Sequence, residues 1–314
     1  MLSELKLAVF LVPRPRVSMN KILLQVLKTL SCSEQVMGSD MMKINVKPKM
    51  TVFNSTQVML KNLFSNRNLL NNLIRRDFKN TYHGHILGYA WSLLEPLIFT
   101  GIFYLIIVVL RGSSDDVLPL NIMLGILLYS AFSKTLQSST VSFIRNSALI
   151  QQIYFPREII LSAISGFQLL KLILSMFIVI PYMYYASIYP TKLLLLFPLA
   201  AISAILFAQG LGMILVIIHV RLRDTEQVIA LIIRAGFYLS GVFYGAEMIP
   251  EEYLHIFLAN PIAVFIEMSR TAIFGEVGVL EPFYIMRAVA ISIVTFVVGS
   301  IIFMKNEKRA VLYL

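Results

Sequence analysis

Four charged side chains stand inside otherwise apolar runs: Glu95, Lys134, Lys171 and Arg234. A charge at membrane depth is costly and faces a bundle interior, a partner charge or a water path. Such groups can pair with one another and tie helices together, or they can meet a charged cargo. Glu95 can pair with Arg234 or with Lys171, and Lys134 can snorkel to an interface instead; the sequence leaves the pairing open. Patterns for bond-making chemistry are missing. The chain has no Asp pair in its apolar runs, no HExxH and no GxSxG, which argues against an intramembrane enzyme. Cys32 is the single cysteine, so neither an intrachain disulfide nor a cysteine-based zinc site can form. His83-Gly-His85 is the nearest approach to a metal pair and reads as ordinary polar loop residues. No GxxxxGK[ST] loop occurs, so ATP phosphates have no P-loop here and no cofactor is expected on this chain.

Aromatic residues offer a second kind of contact. Tyr182, Tyr184, Tyr185 and Tyr189 cluster at the end of one apolar run and read as a membrane-interface belt. Phe237, Tyr238, Phe243 and Tyr244 cluster along another. A continuous helix would put Phe237 and Tyr244 on one face. Such a face can pack on the apolar C–H faces of sugar rings, or simply fill a core.

The elements that must hold these residues follow from composition. Hydrophobic residues make up 58% of the 314 and charged residues 14%. A soluble domain has about 25% charged residues, so this chain cannot cover a water-facing surface. The formal charge is +10, and residues 1–50, with eight Lys/Arg and three Asp/Glu, hold half of it. A basic flank fits an anionic cytoplasmic leaflet. No dense basic cluster with interleaved aromatics points to nucleic acid.

Residues 1–56 read as a separate, poorly ordered N-terminal extension, or as a cytoplasmic arm on the membrane. Met19 and Met50 are further candidate starts. Gln57–Lys79 reads as a basic amphipathic helix lying in the interface plane, with a helix packed on a partner as the alternative. Six spans follow: Leu87–Leu110, Val117–Ile144, Ile159–Tyr185, Leu193–Val220, Val228–Ala246 and Ala288–Met304, the last extended by Phe283–Arg287. Each comes near the roughly 20 residues that a helix needs to cross hydrocarbon. None shows barrel-type alternation, so backbone satisfaction demands an all-α membrane protein. Lys and Arg in the short loops fall ten to three on one side, which places both termini in the cytoplasm. Between Glu247 and Pro282 lies an apolar stretch, Ile256–Phe274, interrupted by Asn260-Pro261, Glu267 and Arg270. It reads as two half-helices that dip into the membrane and return, with an external amphipathic loop as the alternative.

These pieces resemble a known family. Arg75-Arg76-Asp77-Phe78-Lys79, then Tyr82, then Leu87-Gly88-Tyr89-Ala90-Trp91-Ser92-Leu93-Leu94-Glu95-Pro96-Leu97, looks like the start of the first span of ABC-2 type permeases. Within that family it is nearest the branch that exports O-antigen, capsule and teichoic acid. Phe155-Pro156-Arg157-Glu158-Ile159 matches the segment before the third span. Arg223-Asp224 with Gln227 matches the turn between the fourth and fifth, and Asn260-Pro261 followed by Arg270 matches the last external segment. The resemblance covers about residues 57–314. Ser240-Gly241-Val242 departs from it, because the family often has Ser-Pro there.

The resemblance implies a half-transporter in the bacterial inner membrane. Two copies would work with two nucleotide-binding ABC ATPase subunits that carry ATP and Mg, and the cargo would be a lipid-linked glycan. It implies a substrate entrance at Tyr82, Leu87, Gly88, Trp91 and Glu95; for Trp91 a plain interfacial anchor is the alternative. It implies docking of the ATPase at Arg145, Tyr154, Phe155, Pro156, Arg157 and Glu158, with Arg223 and Asp224. A basic anchor loop is the alternative there. Channel candidates are Arg234, Phe237, Tyr244, Asn260, Pro261 and Arg270. An exporter of a small drug or lipid, or a secondary transporter, would share most of these features.

Overall fold

The computed structural model describes residues 52–82, 88–112, 117–152, 155–189, 192–275 and 280–314. The expected extension therefore lies outside the described residues up to residue 51, and so do Leu87 and Tyr154. Among the described residues every regular element is helical.

The expected amphipathic helix is two helices, α1 (Val52–Ser65) and α2 (Arg67–Tyr82). They meet at Asn66, whose side-chain amide donates to the Asn62 carbonyl at 2.9 Å. Their apolar stripe rests on protein. Leu63, Leu69, Leu70 and Ile74 surround buried Leu73, Ile159 and Ala163. Phe78 meets Phe167 edge-on with ring centres 6.0 Å apart. Met59 is fully buried, and Thr56 Oγ1 lies 2.9 Å from Ser300 Oγ.

The spans follow as α3 (Trp91–Arg111), α4 (Leu118–Thr140), two short helices α5 (Ser142–Arg145) and α6 (Ser147–Gln152), then α7 (Glu158–Tyr185) and α8 (Leu196–His219). After them come α9 (Thr225–Leu239), α10 (Glu251–Ala259), α11 (Pro261–Phe274) and α12 (Pro282–Val311). Helix α8 is the hub, with α4, α7, α11 and α12 packed around it. Its hydrophobicity is not what fixes those neighbours, since lipid is equally apolar; close backbone approach does. A Cβ on Gly299 of α12 would sit 2.2 Å from the Gly210 carbonyl oxygen of α8. A Cβ on Gly212 would sit 2.4 Å from Ser139 Cβ of α4. The two glycines of α8 thus let one helix touch it on each side.

Among the described residues, four helical segments are long and apolar enough to cross a membrane: Trp91–Leu110, Glu158–Tyr185, Lys192–His219 and Pro282–Val311. The other two expected spans depart from that standard, each for a physical reason. Helix α4 has 23 residues but a polar C-terminal half with Lys134. Its neighbours are protein rather than lipid, so it need not be apolar. Helix α9 stops at Leu239, short of the expected Ala246, because Gly241 takes φ of 67° and turns the chain. Its 15 residues rise only about 22 Å. The family's proline is absent, yet a break occurs where it would stand.

The expected half-helices around Asn260-Pro261 are α10 and α11, which meet at 104°. Asn260 caps α11 by accepting from the Ile262 amide at 3.1 Å, and Pro261 occupies the first turn, where its missing N–H costs nothing. Successive long helices reverse direction. Ser139 meets Gly212 near the C-terminal ends of α4 and α8, and the Arg221 guanidinium lies 5.0 Å above the Tyr313 ring. Asn62 of α1 reaches Glu158 at the start of α7. Helix α1 and the C-terminus therefore lie at one end of the bundle.

Gly299→Ala is expected to push α12 off α8 and destabilise the chain by about 1–3 kcal/mol. Gly101→Ala, where a Cβ meets nothing within 4 Å, is expected not to lower stability. Thermal unfolding in detergent, read by size-exclusion recovery, compares the two.

Candidate functional site

Three of the four intramembrane charges converge. Lys134 Nζ of α4 donates to both carboxylate oxygens of Glu95 on α3, at 2.7 and 2.8 Å. Lys171 of α7 faces the same place and lies 5.9 Å from the Phe167 ring centre. The sequence offered Arg234 or Lys171 as the partner of Glu95, and the structure gives it Lys134. The reason is geometric: α3 packs directly on α4 and α7, so Glu95 meets residues of those helices first. Arg234 instead stands exposed at the rim of the adjoining cavity.

The cluster sits between two open cavities. One, of about 970 Å³, is lined by Arg76 and Asp77 of α2, Trp91, Glu95, Lys134, Arg145, Asn146 and Lys171. The other, of about 450 Å³, shares Glu95, Lys134, Gln168 and Lys171 and continues along Phe99, Phe103, Phe237 and Tyr238. Charged at one end and aromatic at the other, the pair can hold a ligand with a polar head and an apolar body. Trp91 borders the first cavity and is 44% exposed. Gly88, at φ of 47°, begins the short turn that leads into α3.

The expected pairing of Phe237 with Tyr244 on one helical face does not occur, because the helix ends before Tyr244. Phe243 takes that place. Its ring stacks on Phe103 at 5.3 Å and 7°, and Phe237 lies 5.7 Å from Phe103. Tyr244 turns toward Phe257, with ring centres 6.0 Å apart.

Arg270 is 4% exposed and works on the backbone. It donates to Glu267 Oε1 at 2.7 Å and to the carbonyls of Tyr244, Gly241 and Val242 at 2.9, 2.9 and 3.0 Å. Glu267 Oε1 also accepts from the Ala246 amide at 3.1 Å. The side-chain amide of Asn260 donates to Ser240 Oγ at 3.0 Å. Arg287 donates to the Leu258 carbonyl, just before the α10–α11 break. Arg270, Asn260 and Pro261 thus hold the two chain breaks together. Glu267, which the sequence shows as an interruption of the apolar stretch three residues before Arg270, is that arginine's partner.

At the opposite end, the segment between α4 and α7 holds α5 and α6, parted at Asn146. Asn146 donates to the Ser142 carbonyl at 2.9 Å and accepts from Arg76 at 3.2 Å. Phe155, Pro156 and Arg157 are half-buried, and Arg145, Arg223 and Asp224 are exposed. Glu158 is 1% exposed and accepts from Asn62 at 2.7 Å, so its carboxylate is spent on α1.

Several helices of spanning length define a multi-pass membrane protein. The chain belongs to the ABC-2 type transporter family, whose sequence model matches residues 68–274. It is similar to the O-antigen export system permease protein RfbA of Klebsiella pneumoniae, with 28% identity over 238 residues, 76% of this chain and 91% of that protein. The protein of the same name from Myxococcus xanthus is 24% identical over 252 residues, 80% of this chain and 97% of that one. The polysialic acid transport protein KpsM of Escherichia coli is 23% identical over 249 residues, 75% of this chain and 92% of KpsM.

Arg270→Met removes the cation beside Glu267 and the donor to the carbonyls of Gly241, Val242 and Tyr244. Breaking such a buried pair costs roughly 3–5 kcal/mol. The variant is expected to give little monodisperse protein after detergent extraction; a contact made only with cargo would leave that yield unchanged.

Proposed function

We propose that this chain is the transmembrane subunit of an ATP-driven exporter that moves a lipid-linked polysaccharide across the bacterial cytoplasmic membrane. Two copies work with two ATPase subunits, which hold ATP and Mg. The chain crosses the membrane six times, with both termini in the cytoplasm and α10–α11 as a re-entrant pair on the outer side. The broken helix α9 is a crossing completed by the turn after Gly241.

The observation that carries this reading is the paired cavities. They begin among charges at the end of the bundle that holds α1, the α5–α6 loop and the C-terminus, and they lead to an aromatic wall at Phe103 and Phe237. Glycan export by the named relatives supports the choice of cargo. The polymer would start at Gly88 and Trp91, pass between two copies, and leave beside α10 and α11. The α5–α6 loop, Phe155-Pro156-Arg157 and the Arg223-Asp224 turn would receive the push of ATPase closure. Pro156 would fix the angle at which that push reaches α7. A second reading, export of a small drug or lipid, is favoured by one observation: the inner cavity of about 450 Å³ is the size of a small-molecule pocket.

Purification of the chain from its host, with intact-mass identification of what accompanies it, tests the first part. An ATPase subunit at one to one is expected. Recovery alone, together with transport in liposomes lacking ATP, would move a secondary transporter to first place. Arg157→Glu is expected to keep the chain folded and to lower ATPase recovery severalfold. Radiolabelled lipid-linked glycan against a fluorescent drug, in liposomes with ATP, separates the two cargoes.

A further inference from the structure

A third open cavity, of about 480 Å³, lies at the end of the bundle away from α1 and the C-terminus. It runs between the last turns of α7, the first turn of α8 and the end of α11. Met176, Val179, Ile180, Met183 and Tyr184 form one stripe of α7 along it, about 12 Å long. Phe197 and Pro198 of α8 and Ile273 of α11 close other sides. The lining side chains are apolar apart from two tyrosine hydroxyls, so water finds few partners there and hydrocarbon fits better.

The surroundings say which hydrocarbon. On α7 the exposed line Ile173, Phe177, Ile180 and Tyr184 runs into the cavity, and α8 exposes Leu199 and Ile202. In a membrane protein such faces meet lipid tails, so the cavity continues the lipid-facing surface. Exposed Tyr184, Tyr185 and Tyr189 mark head-group level at its mouth. Ser187 there takes φ of 57°, a conformation that usually falls to glycine. The amides of Ser187 and Ile188 donate to the carbonyls of Tyr184 and Met183, at 3.2 and 2.9 Å. That turn folds Ile188 and Tyr189 back along α7, where both line the cavity. Between Lys171 and Arg221 the sequence carries one charged residue, Lys192. It is exposed and begins the short turn Lys192–Leu195, two residues before Leu194 of the cavity wall. A cation at head-group level beside an apolar slot complements a lipid anion.

We propose that this cavity is a binding site for one acyl chain of an anionic phospholipid, whose phosphate meets Lys192 at the mouth. The lipid is a resident of the wall rather than cargo, so the site stands whichever cargo the chain moves. Ile273 lies one turn past Arg270 on α11. The acyl chain therefore braces the helix whose arginine holds the Gly241–Tyr244 turn.

The full chain in phosphatidylcholine nanodiscs is given a trace of phosphatidylglycerol with a photoreactive diazirine in one acyl chain, and labelled peptides are mapped by mass spectrometry. The exposed face of α12, with Ile293, Val294 and Val298, reports contact with bulk lipid. Labelling of Met176–Tyr184 severalfold above that face is expected. Ile180→Trp and Leu194→Trp fill the cavity from different walls, at positions that are already exposed. Each should bring the labelling down to the level of α12, and the second keeps the test standing if the first does not fold. A lysine near a lipid surface is worth about fivefold in binding, so the same diazirine carried on phosphatidylcholine should label the cavity less by about that factor. Lys192→Gln should erase the difference between the two lipids, and Lys192→Arg should keep it. Labelling no greater than on α12 overturns the proposal, as does labelling that survives in both tryptophan variants. Equal labelling by the two lipids in the unaltered chain overturns the anionic head group and the role of Lys192. A disulfide between two copies of Leu194→Cys, made in a Cys32→Ser background, would give the cavity to a second copy and overturn the lipid site.

Discussion

Backbone carbonyls left free at membrane depth cannot turn to water, and this constraint organises the half of the molecule that holds α10 and α11. The chain breaks twice there, after Leu239 and at Asn260, and each break strands polar groups. Two arginines resolve the problem. Arg270 gathers the carbonyls of the Gly241–Tyr244 turn while its charge is met by Glu267. Arg287 takes the carbonyl of Leu258. Asn260 joins the two breaks through Ser240. Irregular backbone is tolerated where protein covers it, and the cover here is a set of side chains from α11 and α12. The position of α10, the end of α9 and the aromatic wall beside Phe243 all depend on that set.

The other half obeys a different rule. Helix α8 draws its neighbours in through Gly210 and Gly212, and a hub that binds α4, α7, α11 and α12 leaves α3 and α9 at the margin. Helix α3 packs mainly on α4 and α7, and its other faces are bare. Marginal placement produces the cavities: the space between a loosely held helix and a tight core is where side chains stop short of filling volume. Glu95, Lys134 and Lys171 line both cavities in that space. Phe103 of α3 closes it on one side against Phe237 and Phe243.

The sequence made some of this legible and hid the rest. Asn260-Pro261 announced a bend because a capping residue followed by proline has one good use, the start of a helix. Glu95, Lys134 and Lys171 announced a polar interior because charges in apolar runs have few alternatives. What they paired with was hidden, since pairing depends on which helices touch, and local sequence does not encode that. The end of α9 was missed because Gly241 sits in an apolar run that reads as continuous; only its positive φ shows the turn, and with it the separation of Tyr244 from Phe237. The polar half of α4 keeps it below the hydropathy of a span, because its neighbours are helices. The break at Asn66 was hidden too, as an amphipathic pattern runs on through it.

Helix α2 serves two masters. Arg76 lines the charged cavity, and its guanidinium also donates to Asn146, where α5 and α6 part. Cargo and motor would then pull on one strut. Free energy exchanged through a shared element is reciprocal: if movement of the loop loosens the grip on cargo, gripped cargo must bias the loop by the same amount. A loaded permease would then present its motor with a different docking surface from an idle one, so that readiness to hydrolyse ATP could be metered by the presence of freight rather than by a separate signal.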